Sequence, residues 1–73
     1  MPDNADNIFL KKIALRLKKL REEYGLTQED VINDTGIHIG RIETGKRDFS
    51  VSTLRKIAKY FNISIQEFFK GIK

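Results

Sequence analysis

Few residues of this chain are equipped for chemistry, and most reaction types lack their parts. There is no cysteine and a single histidine, His38, so no thiolate or imidazole cluster can hold a metal ion. No nucleophile is paired with a base, no acid–base pair stands out, and no glycine-rich loop offers a phosphate cradle. The chain is read as a non-enzyme without metal, cofactor or small-molecule ligand. What remains is one short helical face. Ile37, Arg41 and Thr44 stand above one another at helical spacing, opposite Ile39 and Ile42. Core formation explains Ile39 and Ile42; it does not explain the outward three.

Charge points in the same direction. A formal net charge of +4 inclines the chain toward polyanionic partners. Its placement is uneven. Lys11, Lys12, Arg16, Lys18, Lys19 and Arg21 precede Glu22 and Glu23, and Lys46, Arg47, Arg55, Lys56, Lys59, Lys70 and Lys73 follow the middle of the chain. Between residues 26 and 45, Arg41 alone faces Glu29, Asp30, Asp34 and Glu43. Bulk attraction for phosphate must therefore come from the flanks.

The elements that position these residues are all helical. With 73 residues the chain suffices for one domain, read as residues 8–73 behind a polar tail of residues 1–7. Pro2 is the only proline, and no period-two segment is long enough to argue a sheet. Leu10, Ile13, Leu17, Leu20 and Tyr24 form one stripe of a first helix from about Ile8 to Tyr24, capped by Asp6 or Asn7 and stopped by Gly25. Ile8 and Leu15 fall opposite that stripe. Thr27 to Asp30 reads as a capping box opening a second helix that buries Val31 and Ile32. A third helix is expected from Gly36 to Thr44, capped by Thr35 or Asp34 and stopped by Gly45. Ser50 or Ser52 caps a fourth, reaching Phe61 and ended by Asn62. Ser64 to Glu67 is a second capping box, opening a last helix with Ile65, Phe68, Phe69 and Ile72. No apolar run is long enough to span a membrane and no secretory signal is visible. A reducing cytoplasm fits this composition.

The order of elements now meets familiar residues. Leu20-Arg21-Glu22-Glu23, Gly25-Leu26-Thr27-Gln28-Glu29, Arg41-Ile42-Glu43-Thr44-Gly45-Lys46-Arg47, Leu54-Arg55-Lys56-Ile57-Ala58 and Phe68 together resemble the lambda-repressor/Cro-type (XRE-like) helix-turn-helix family. The resemblance covers roughly Leu10 to Phe69. It implies a compact all-α domain of five helices that binds double-stranded DNA, the third helix entering the major groove. On that resemblance, Gly36, Ile37, His38 and Arg41 are the base-facing positions. Arg41 is suited to the two acceptors of a guanine edge, and Ile37 to a thymine methyl. Thr27, Gln28, Lys46, Arg47 and the N–H groups of Val51 and Ser52 are expected at phosphates. Arg21 and Glu43 match a pair that usually forms a partly buried salt bridge between the first and third helices.

One short helix reads only a few base pairs, so a homodimer on two half-sites is expected, with Phe69 and Ile72 as candidate dimer contacts because Phe68 alone suffices to close the core. A sequence-specific, repressor-like transcription regulator follows. The rival is a protein-interaction or antitoxin-like module using the same outward face, favoured by the acidic balance of residues 26–45. One departure stands out. Gln28 to Glu43 is fifteen positions, about one helical turn short of the family's usual spacing. Ile32 also replaces the common small residue. The reading preferred from sequence ends the second helix near Asn33, which keeps Ile39 and Ile42 in the core. Its alternative makes Gly36 the turn glycine and shortens the third helix.

Overall fold

Apolar residues at three- and four-residue steps produce five helices in the computed structural model, which describes residues 4–72. They are α1 (Asn4–Glu23), α2 (Gln28–Thr35), α3 (Ile39–Glu43), α4 (Val51–Tyr60) and α5 (Ile65–Lys70). No strand occurs among the described residues. Ile13, Leu17 and Leu20 of α1 meet Val31, Ile39, Ile42, Leu54, Ile57, Phe61 and Phe68 in one buried cluster. At about 25 cal/mol per Å² of apolar surface removed from water, such a cluster is the main term holding a domain of this size together.

α1 begins at Asn4, four residues ahead of the expected start at Ile8. Asp6 and Asn7 therefore lie inside the helix and not at its cap. Residues 1–3 of the expected tail lie outside the described residues. At the other end, Gly25 N–H donates to Glu22 O and Leu26 N–H to Arg21 O, the paired bonds that end a helix in a left-handed turn. Tyr24 is half-exposed and only flanks the core: its hydroxyl donates to Phe61 O at 2.7 Å.

The closing helices are fastened by caps and by α1. Ser50, not Ser52, caps α4, its Oγ accepting from Thr53 N–H at 3.1 Å. Ser64 accepts from Glu67 N–H at 3.0 Å, but the reciprocal carboxylate bond of a full capping box is not formed. Phe68 is fully buried, while Phe69 and Ile72 pack half-buried against the cluster. Arg16 secures α5 from α1. Its Nε and Nη2 donate to Phe68 O and Glu67 O at 2.9 and 3.0 Å, satisfying carbonyls that a short helix leaves open.

The turn between α2 and α3 departs from the preferred expectation. α2 does not end near Asn33; it continues to Thr35, and α3 starts at Ile39 instead of Gly36. Gly36 is the turn glycine, at φ 75°. The cause is local bonding. Gly36 N–H continues the α2 ladder to Ile32 O at 2.8 Å. Thr35 Oγ1 donates to Val31 O at 2.7 Å and accepts from Ile37 N–H at 3.0 Å, folding the chain back at once. The core survives this compression: Ile39 and Ile42 are both buried. Thr35 and Asp34 consequently do not cap α3. His38 takes the cap position without a side-chain cap bond.

Candidate nucleic-acid interface

α3 is only five residues long, so its own ladder cannot hold it in place. Neighbouring side chains do so. Arg21 of α1 donates from Nε to Glu43 Oε2 at 2.8 Å and from Nη2 to Oε1 at 3.0 Å, a two-point pair. The two side chains are 12% and 5% exposed. Arg21 also donates to Leu26 O at 2.9 Å, which fixes the loop entering α2. The bond to Glu43 raises the Arg21 pKa above its ordinary value. Gln28 Nε2 reaches the same carboxylate at 3.3 Å. One carboxylate thereby ties three helices.

Gln28 is held close for a second reason. A Cβ on Gly40 would lie 2.8 Å from Gln28 Oε1, so the glycine in the middle of α3 makes room for the α2 side chain. Sequence reasoning assigned no role to Gly40. The available signal was a glycine inside a predicted helix, which often marks a close approach. It also assigned Gln28 only an outward role, whereas its amide is partly engaged within the fold. Behind α2, the Tyr60 hydroxyl donates to the Asp34 carboxylate, joining α4 to α2 and pushing the Tyr60 pKa up to about 12.

The α2 N-terminus carries the expected box. Asp30 N–H donates to Thr27 Oγ1 at 3.0 Å and Thr27 N–H donates to Asp30 Oδ2 at 2.9 Å. The Thr27 backbone bond, then its hydroxyl, holds the Asp30 pKa below the usual carboxylate value. The next N–H groups, of Gln28 and Glu29, have no carbonyl one turn back to receive them. The same holds for Val51 and Ser52 at the start of α4, where both residues are exposed.

The sequence-derived base positions separate into two pairs. Arg41 and His38 are exposed, and the Arg41 guanidinium has no hydrogen-bond partner among the described residues. Gly36 and Ile37 precede α3 and belong to the turn. Ile37 is half-buried and packs on the core, so it is not a fully outward member of the face shared by Arg41 and Thr44. Thr44 closes α3, its hydroxyl donating to Arg41 O at 2.7 Å. Lys46 and Arg47 follow directly and are exposed.

A family model described as helix-turn-helix matches residues 17–68. This chain belongs to the XRE-type helix-turn-helix family. Among similar proteins is an uncharacterized HTH-type transcriptional regulator of Methanocaldococcus jannaschii, 40% identical over 57 residues that make up 74% of this chain and 86% of that protein. A second, of Archaeoglobus fulgidus, is 35% identical over 57 residues, 74% of this chain and 81% of its own length. The HTH-type transcriptional regulator DdrOP3 of Deinococcus deserti is 28% identical over 65 residues, and the match spans 50% of that longer protein. No solved structure matches the chain significantly. Within this helix-turn-helix the two motif helices are α2 and α3, and the unusual brevity lies in α3 and the turn before it.

Proposed function

We propose that the chain is a sequence-specific DNA-binding transcriptional regulator, repressor-like, acting in the cytoplasm as a homodimer on two half-sites about one DNA turn apart. The observation that carries this reading is Arg41: an exposed guanidinium with no partner among the described residues, on a helix that Arg21, Glu43 and Gln28 hold still. A fork of donors presented from a rigid element fits the paired acceptors of a guanine edge in the major groove. His38 is the second base-facing candidate. Gly36 and Ile37 act mainly by setting the turn, though Ile37 keeps enough exposed surface to touch a thymine methyl at the groove edge.

Phosphate contacts fall to Lys46 and Arg47, to Thr27 and Gln28 at the start of α2, and to the N–H groups of Val51 and Ser52. The relatives' printed names as transcriptional regulators support the assignment. A single five-residue helix reads few base pairs, so pairing of two copies supplies selectivity. Phe69 and Ile72 remain the dimer candidates; Phe69 lies parallel to the exposed Phe9 ring at 6.4 Å, which widens the apolar surface there. The protein-interaction reading of the α3 face loses its apolar anchor to the packing of Ile37. Selection of bound duplexes from a random pool tests the proposal. A two-fold symmetric motif is expected, and recovery of no motif would overturn it.

A further inference from the structure

The core does not use the outer face of α1, and the DNA reading draws on its lysines only for long-range attraction to phosphate. Ile8, Lys11, Lys12, Leu15, Lys18 and Lys19 recur at three- and four-residue steps and so form one stripe, turned away from Ile13, Leu17 and Leu20. Leu15 is 68% exposed and Ile8 55%. The four lysines are exposed as well, and the single ion pair found among the described residues, Arg21–Glu43, involves none of them. Folding accounts for the opposite stripe alone.

The shape of this face is a ridge with hollows beside it. On one side of Leu15 lies a hollow of about 360 Å³ bordered by Lys12, Lys19 and Ile72. On the other lies one of about 310 Å³ bordered by Lys11, Lys18 and Gly45. Ile8 and Leu15 are seven residues apart, about 10.5 Å along the helix, which is the repeat of a two-helix seam. A phosphate backbone would gain from the lysines but nothing from an apolar crest between them. A lipid surface needs a broader apolar face than two side chains two turns apart. A second helix with apolar residues at heptad spacing and carboxylates on its flanks uses both features.

We propose that the outer face of α1 docks an acidic amphipathic helix of a partner protein, with Leu15 and Ile8 as apolar anchors and Lys11, Lys12, Lys18 and Lys19 as the charge complement. The second hollow also touches Glu43 and Thr44 at the end of α3, but both anchors and all four lysines lie on α1, so the proposal stands whether or not the DNA reading does. The probe is a labelled synthetic peptide of about three heptads, with leucines at seam positions and glutamates beside them. A scrambled peptide of identical composition is the control.

With the full chain, the ordered peptide is expected to shift the NMR amide signals of residues 8–19 and to bind more tightly than the scrambled one. Leu15→Ala should weaken it about tenfold, the effect of uncovering one partly buried leucine. The double reversal Lys12→Glu with Lys19→Glu should weaken it about tenfold or more and flatten its salt dependence. Both variants change exposed positions, so unchanged thermal melting verifies that they fold. Equal binding of the scrambled peptide, signals shifting elsewhere, or no effect of Leu15→Ala would overturn the proposal. So would Lys12→Ala weakening duplex DNA binding as much as Lys46→Ala does, a matched loss of one charge that marks a phosphate track. Leu15-dependent binding to phosphatidylcholine–phosphatidylglycerol vesicles in place of the peptide would overturn it as well.

Discussion

Around Glu43 the polar side chains hold one another: the carboxylate receives Arg21 at two points and Gln28 at a third, and Arg21 also fastens the Leu26 carbonyl. A few residues further on, Lys46 and Arg47 are exposed, and no side-chain bond of theirs occurs among the described residues. The first region is low in exposed charge and rich in geometry; the second has charge and little geometry. The contrast follows from dielectric surroundings. A charge-assisted bond shielded from water is strong and directional, whereas a solvated lysine acts at a distance and tolerates movement. The clamp sets where α3 points, and the loop after it supplies attraction for a polyanion.

Changes in the clamp should cost stability, and truncation of the exposed charged side chains outside it should not. The largest effect is expected from Glu43→Ala, which leaves the Arg21 guanidinium shielded and unpaired; about 3 kcal/mol of stability is lost. In a domain of this size that corresponds to a melting midpoint lower by about 15 °C by circular dichroism. A shift of only a few degrees would mean that water screens the pair, and the contrast would fail. Arg41→Ala tests the exposed side. Stability should stay within about 0.5 kcal/mol of the parent. Discrimination at one base position of each half-site should fall by about 2 kcal/mol in competition binding. Uniform weakening across sequences would move Arg41 to the electrostatic class.

Smaller effects sharpen the boundary between the regions. At Gly36 nothing lies within 4 Å of an added Cβ, so the cost of Gly36→Ala is conformational. It should be about 1 kcal/mol in urea unfolding, and less for Gly36→Asn, because asparagine tolerates the left-handed region. Lys46→Ala should leave unfolding unchanged, weaken all duplexes alike and lower the salt slope of binding by about one. The smallest effect concerns pH. The Tyr60 phenol titrates at 10.0 ordinarily and at about 12 beside Asp34. Its neutral form is favoured in the folded state, so its contribution is complete below pH 10 and disappears as pH rises toward 12. Tyr60→Phe should show a shallower loss of stability across that interval; an identical loss would assign it to other groups.

Much of the fold was legible because its signals are local. Thr27 with Asp30, Ser64 with Glu67 N–H, and Gly25 after α1 each act through bonds spanning a turn or so of chain. The stripe of Ile13, Leu17 and Leu20 likewise needs only helical periodicity. Where local signals compete, sequence reasoning chose wrongly. Thr35 could have capped a longer α3, yet its hydroxyl bonds Val31 O and Ile37 N–H and carries α2 onward to Gly36.

The amino-acid sequence by itself determined the number of helices, most of their stops, and the basic flanks around a more acidic centre; the pairing of Arg21 with Glu43 came only from the family resemblance. The first three are properties of neighbours along the chain or of composition. Tertiary structure decided the rest: that Ile37 turns toward the core, that Gln28 rests on Gly40, that Tyr60 holds Asp34, and that Arg16 fastens α5. Those partners lie on different helices, and which atoms meet depends on how the helices pack around one small core. A hydrogen bond 52 residues long in sequence, such as Arg16 to Phe68, exists only once that packing has brought its ends together.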